Sequence, residues 1–99
     1  MYRALVMFPT SAGQAGVEAL IEGIASSFKA NAGSQSITRS VGSLMGPGAQ
    51  AGEAGWILEA DFSTLEDAMA AMNAEDFRDV KAAAETLTSK IFLFEVREV

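Results

Sequence analysis

The stretch WILEADFSTLEDAMAAMNAEDFRDV, residues 56–80, decides how this chain folds. Its first seven residues alternate. Trp56, Leu58, Ala60 and Phe62 point one way and Ile57, Glu59 and Asp61 the other, as in a strand with one buried face. Ser63 and Thr64 then offer hydroxyls for a helix N-cap, and Ser63 with Glu66 fits a capping box. Leu65, Ala68, Met69 and Met72 follow at helical spacing. Asn73 reads as a break. A second helical stretch covers 74–87, with Phe77, Val80, Ala84 and Leu87 inward.

Outward from this stretch, the remaining elements follow. Towards the C-terminus, Lys90–Arg97 is a strand with Phe92, Phe94 and Val96 on one face. Towards the N-terminus, residues 46–55 are rich in Gly and Ala and read as a flexible connection. Residues 34–44 form a strand in which Ile37, Arg39 and Val41 alternate with Ser36, Thr38 and Ser40. A helix spans Gly16 to Asn31, its stripe made by Val17, Leu20, Ile21, Ile24 and Phe28. Glu18 and Glu22 sit in its first turns, where carboxylates suit the helix dipole. Gly33 serves as its C-cap. Gly23, inside the helix, costs roughly 1 kcal/mol relative to Ala and reads as room for close packing on the sheet. Residues 2–8 are a short apolar strand stopped by Pro9.

The resulting order, β-α-β-β-α-β, is the split-βαβ, ferredoxin-like α+β pattern over one domain, 1–99. It predicts a four-stranded antiparallel sheet with helices on one face. The helix-facing side is assigned Tyr2, Ala4, Val6, Phe8, Ile37, Arg39, Val41, Trp56, Leu58, Ala60, Phe62, Phe92, Phe94 and Val96. The bare side carries Leu5, Met7, Ile57, Ile91 and Leu93 beside Arg3, Glu59, Asp61, Glu95 and Arg97. It is too apolar for water and too polar for an ordinary core. A second copy covering it meets both demands. The expectation is a homodimer whose dimer face is Leu5, Met7, Ile57, Glu59, Ile91, Leu93 and Glu95.

Composition narrows the function classes. The chain has 99 residues, 7 Lys and Arg against 13 Asp and Glu, and a net charge of −6. Nucleic acid and anionic membrane surfaces are poor partners for such a charge. There is no cysteine and no histidine. Thiol chemistry, thiolate metal sites and the commonest general base and haem ligand are therefore missing. No metal and no cofactor are expected. The N-terminal apolar run, Ala4 to Phe8, is too short for a signal core or a membrane span, so a cytoplasmic location is expected.

The opening strand (Tyr2 to Phe8), the helix, the hairpin with its Gly-rich connection, the interrupted helix around Asn73-Ala-Glu-Asp-Phe77 and the aromatic last strand Ile91 to Val96 together resemble the dimeric α+β barrel superfamily. The likeness is to its small EthD-like proteins and covers nearly the whole chain. The resemblance implies a homodimer whose two sheets close into a barrel, with a small-molecule pocket between each sheet and its own helices. Relatives include quinone-forming monooxygenases, polyketide cyclases, haem-dependent enzymes and a lactone isomerase. The catalytic and haem-ligating histidines of some relatives have no counterpart here.

Candidate chemistry is sparse. Arg39 lies between Ile37 and Val41 on the helix-facing side. It is either an anion or carbonyl anchor at the open side of the pocket or a side chain that reaches past an edge strand to a helix Glu. Tyr2 and Trp56, each an apolar body with one polar handle, frame an aromatic ligand with Arg39 or else belong to the core. Met72 and Phe77, with Met69, form the opposite wall or a core stripe. Glu59, Asp61 and Glu95 face Arg3 and Arg97, which reads as a salt-bridge ladder rather than an acid–base pair. The Gly-rich connection is a hairpin tip or pocket lid, with no phosphate-binding spacing. Thr10 and Ser11 are turn hydroxyls without a base beside them.

Two ligand readings follow: a homodimeric α+β barrel that binds a small, partly apolar metabolite between sheet and helices, or a cofactor-independent enzyme, monooxygenase- or cyclase-like, acting on an aromatic or polyketide-like substrate. In the enzyme reading Arg39 and Tyr2 polarise an oxygen. A third reading is an interaction module whose pocket is filled by its own side chains.

Overall fold

The computed structural model describes residues 1–9, 12–49 and 54–99. Strand β1 (Tyr2–Pro9) leads to helix α1 (Gln14–Ala32), and strands β2 (Ser36–Arg39) and β3 (Ala54–Phe62) follow. Helices α2 (Leu65–Asn73) and α3 (Glu75–Glu85) and strand β4 (Lys90–Glu95) complete the order. The sheet runs β2-β3-β1-β4, antiparallel at every pairing. This is the ferredoxin-like α+β arrangement, with the second helical region split in two.

One face of the sheet carries the core. Ala4, Val6 and Phe8 of β1 and Leu58, Ala60 and Phe62 of β3 are buried beneath Val17, Ile21, Ile24 and Phe28 of α1. Phe28 links the layers: its ring meets Phe62 edge-on at 5.6 Å and stacks on Phe77 of α3 at 5.0 Å. Tyr2, Ile37 and Trp56 pack on the margin of this core. Helix α1 ends where Gly33 turns left-handed, at φ 52°.

Gly23 does make room, but for a helix. A Cβ there would stand 3.3 Å from Val80 Cγ2, so the missing side chain lets α1 and α3 approach, not α1 and the sheet. Helix α1 begins before Gly16, which removes Glu18 from its first turn. At α2 the N-cap is Thr64, not Ser63: its Oγ1 accepts a hydrogen bond from the Asp67 N–H at 3.1 Å. The break between α2 and α3 falls on Ala74, one residue past Asn73, with extended backbone at φ −64° and ψ 143°. Leu65 and Met69, expected inward, are exposed. Ala68 and Ala71 make the buried face of α2 instead, and their small methyls seat the helix low.

Strand β2 is shorter than expected. Its pairing runs from Ser36 opposite Asp61 to Arg39 opposite Leu58. Val41 is past the strand and 88% exposed. An edge strand with one neighbour has little to hold it once the ladder ends, and Gly42, at φ 76°, turns the chain.

The main correction concerns β4. Ala4 pairs with Leu93 and Val6 with Ile91, so Ile91 and Leu93 share the helix-facing side and pack against the core. Glu95, opposite Tyr2, falls on that side too, at the exposed sheet end. Phe92 and Phe94 face the open side, 48% and 41% exposed. Ile91, Phe92, Leu93 and Phe94 are all apolar, so alternation carries no polar mark to set their phase. Backbone pairing to β1 sets it.

Candidate functional site

The corrected register creates the site. Phe77, Lys81 and Glu85 recur every four residues on one side of α3. Ser89, Ile91 and Leu93 recur every second residue and turn the same way from the other wall. With Met72 and Asn73 from the end of α2, these two rows line a cleft of about 430 Å³. Helix α3 packs on α1, which leaves this seam along β4. Clefts of this size suit small organic ligands.

The floor of the cleft is apolar: Phe77 is buried, and Met72, Ile91 and Leu93 are half-buried. The rim is polar. Lys81 Nζ stands 4.0 Å from Glu85 Oε1, one helical turn on. Such an exposed pair contributes only tenths of a kcal/mol, roughly, but the two charges offset each other at the cleft mouth. Of the residues expected to meet a ligand, Met72 and Phe77 line this cleft; Asn73, Lys81, Glu85 and Ser89 are not among them, and Ile91 and Leu93 were expected on the dimer face. The 77/81/85 spacing was the signal available for the helix wall.

The other expected site residues lie elsewhere. Arg39 points to the helix side, where Glu18 of α1 engages it. Its Nη1 donates to Glu18 Oε2, its Nη2 donates to Glu18 Oε1 at 2.9 Å and its Nε donates to the Ser40 carbonyl at 3.2 Å. Hydrogen bonding from Arg39 holds the Glu18 carboxyl below the usual glutamate range, against a smaller opposing effect of desolvation. Arg39 also borders a second depression of about 230 Å³, at the β2 edge, with Thr38, Ser40, Ile57 and Glu59.

Tyr2 pairs with Phe62, whereas Trp56 pairs with Phe8. Six residues of strand, about 20 Å, separate them. Arg39, opposite Leu58, belongs to the Trp56 end. Tyr2 therefore shares no ligand-sized space with Arg39 and Trp56, and Arg39 and Tyr2 do not converge on one oxygen. Neither Tyr2, Arg39 nor Trp56 lines the 430 Å³ cleft. Met69 is exposed and does not line it.

On the open face, two cross-strand rows run from β4 to β2 and a third from β4 to β3. Phe94, Arg3, Asp61 and Ser36 form one; Phe92, Leu5, Glu59 and Thr38 the next; Lys90, Met7 and Ile57 the third. Arg3 grips Asp61 through two bonds, Nε to Oδ1 at 2.8 Å and Nη2 to Oδ2 at 3.3 Å, and stands 4.0 Å from Glu59. Glu95 pairs instead with Arg97 at 3.1 Å. The carboxylates thus meet arginines rather than one another. Among the described residues no group of three or more carboxylates could hold a metal ion. No helix among them is long and apolar enough to cross a membrane. Thr10, Ser11 and residues 50–53 of the Gly-rich connection lie outside the described residues, and so do the turn and lid readings attached to them.

Comparison with models of known protein families gives no match, and no curated protein matches. Solved structures do. An ethyl tert-butyl ether D (EthD) family protein from Bacillus halodurans C-125 superposes with a TM-score of 0.73 at 14% identity, over 98% of this chain and 99% of that one. The cofactor-independent oxygenase SnoaB from Streptomyces nogalater gives 0.69 at 18% identity, over 99% and 93%. A dimeric ferredoxin-like protein of unknown function from Thermobifida fusca YX gives 0.68 at 16%, over 96% and 90%. The chain shares their fold. The EthD-like resemblance of the sequence is met at that level, and identities this low carry no chemistry with them.

Proposed function

We propose that two copies of this chain pair through their open sheet faces and that each holds a small, partly apolar molecule between β4 and the α2–α3 pair. The observation that carries this reading is the 430 Å³ cleft with an apolar floor and a polar rim. A module whose interior is filled by its own side chains has no use for such a space. The open face supports the pairing. Leu5, Met7, Ile57, Phe92 and Phe94 form an apolar field around Arg3, Glu59 and Asp61, more than a lone sheet leaves in water. Solved proteins of the same fold are described as dimeric.

Native mass spectrometry of protein taken from its own host tests the ligand, and light scattering on a sizing column tests the dimer. A bound small molecule and a two-chain mass support the reading. A ligand-free protein whose Met72 and Leu93 methyl signals ignore every small aromatic compound would remove the first half, and a monomer at micromolar concentration the second.

A second reading is a cofactor-independent enzyme acting on an aromatic or polyketide-like substrate, favoured by the shared fold with SnoaB. With no histidine or cysteine in the chain, rate enhancement would come from holding the substrate in a reactive pose. Turnover of the molecule found in the cleft separates this from simple binding.

A further inference from the structure

We infer that Ser89 is the polar anchor of the cleft and that the ligand is an uncharged molecule with an apolar body and one hydroxyl or carbonyl oxygen; this rests on the cleft being a ligand site.

The Ser89 hydroxyl oxygen is shut off from solvent in its present position and has no hydrogen-bond partner among the described residues, while other atoms of the residue line the cleft. A buried hydroxyl without a partner is a net loss for a fold. A serine side chain has three staggered positions, and no bond to the described residues holds this one. A turn about χ1 would carry the hydroxyl from its closed position into the cleft, where a ligand oxygen supplies the missing partner; a hydroxyl both donates and accepts, so carbonyls and alcohols both qualify. Ser34 Oγ is likewise unpartnered, but it lines neither depression.

The backbone beside Ser89 points the same way. Thr88 has φ 59°, a left-handed conformation that β-branched residues seldom adopt. The α3–β4 turn accepts this strain immediately before Ser89, and strain of this kind gathers where placement matters. Charge narrows the ligand class. Lys81 and Glu85 bring one charge of each sign to the rim, and the other lining residues are uncharged, so the lining has no net charge to select an ion. The chain's net charge of −6 further repels anions.

The test titrates the full chain with naphthalene, 1-naphthol, 1-tetralone and 1-naphthoate, following the Met72, Ile91 and Leu93 methyl signals. The two neutral oxygen-bearing probes should bind about threefold to tenfold more tightly than naphthalene. Ser89→Ala should erase that advantage and leave naphthalene binding unchanged. The same variant should melt no lower than the parent, because its hydroxyl has no bond to lose. An oxygen advantage that survives Ser89→Ala, a lower melting temperature for that variant, or 1-naphthoate as the tightest probe overturns the inference while the cleft reading stands. Silence of the methyls of all three residues towards all four probes overturns the cleft reading and this inference together.

Discussion

Leu5 and Phe92 stand directly opposite each other across the β1–β4 ladder, on the side of the sheet that no described helix covers. If a second copy buries this pair, a charge placed there is buried without a partner. Phe92→Glu is expected to weaken the dimer by about 2–5 kcal/mol and yield monomers at micromolar concentration, as read by light scattering. Val41→Ser, on a residue 88% exposed and past the end of β2, should leave the dimer intact.

The Arg39–Glu18 pair ties the short edge strand β2 to α1. Folding lowers the Glu18 pKa, so the folded chain holds that proton less tightly than the unfolded chain. The stabilisation is therefore complete above the unfolded glutamate pKa, about 4.3, and is lost as pH falls below it through the folded value. Urea midpoints of the parent and Glu18→Gln should differ at neutral pH and converge towards pH 3, roughly. A gap that is constant with pH would show that the ion pair is not its source.

Asp76 acts in the same direction at another seam. Desolvation works against its charge, but hydrogen bonds from Ser27, Asn31 and the Phe77 backbone prevail and hold its pKa down. Asn31 Nδ2 donates to Asp76 Oδ1 at 2.9 Å and to the Ser27 carbonyl at 2.8 Å, tying α1 to the start of α3. Asp76→Asn should lower the melting temperature at neutral pH, with the difference shrinking in acid.

Gly23 and Val80 fix the approach of α1 to α3. Gly23→Leu is expected to destabilise by about 1–3 kcal/mol in denaturant titration, because Val80 is too stiff to yield. Val80→Ala in the same chain should recover a good part of that loss. Independent, additive effects would remove the contact as the cause.

Phe28 joins sheet, α1 and α3 through two ring contacts. Phe28→Ala is expected to cost about 3–5 kcal/mol, enough to leave a chain of this size largely unfolded by circular dichroism at 25 °C.

What could be read from the sequence followed from where polar residues marked a phase. Glu59 and Asp61 interrupt an apolar run at every second position, so both faces of β3 are legible in the sequence. Arg3 did the same for β1. In β4 the four residues from Ile91 to Phe94 carry no such mark, and Glu95, on the helix-facing side at the exposed sheet end, gives a false one, so the aliphatic and aromatic pairs were exchanged. The β4 wall of the cleft was hidden for the same reason, since alternation alone puts Ile91 and Leu93 on the open side of the sheet. Arg39 was legible to within two alternatives, and Glu18 of α1 is the helix glutamate that its side chain meets.

The turn ahead of β4 carries a heavier duty than its length indicates. Slide that ribbon by one residue and it would present Phe92 and Phe94 to the cleft and Ile91 and Leu93 to the outside, with nearly the same greasy area concealed. Oil-and-water sorting is almost blind to the exchange. What stops a misthreaded sheet is the fixed count of residues between Glu85 and Lys90, so a single insertion or deletion there should be far more damaging than most substitutions within the strand.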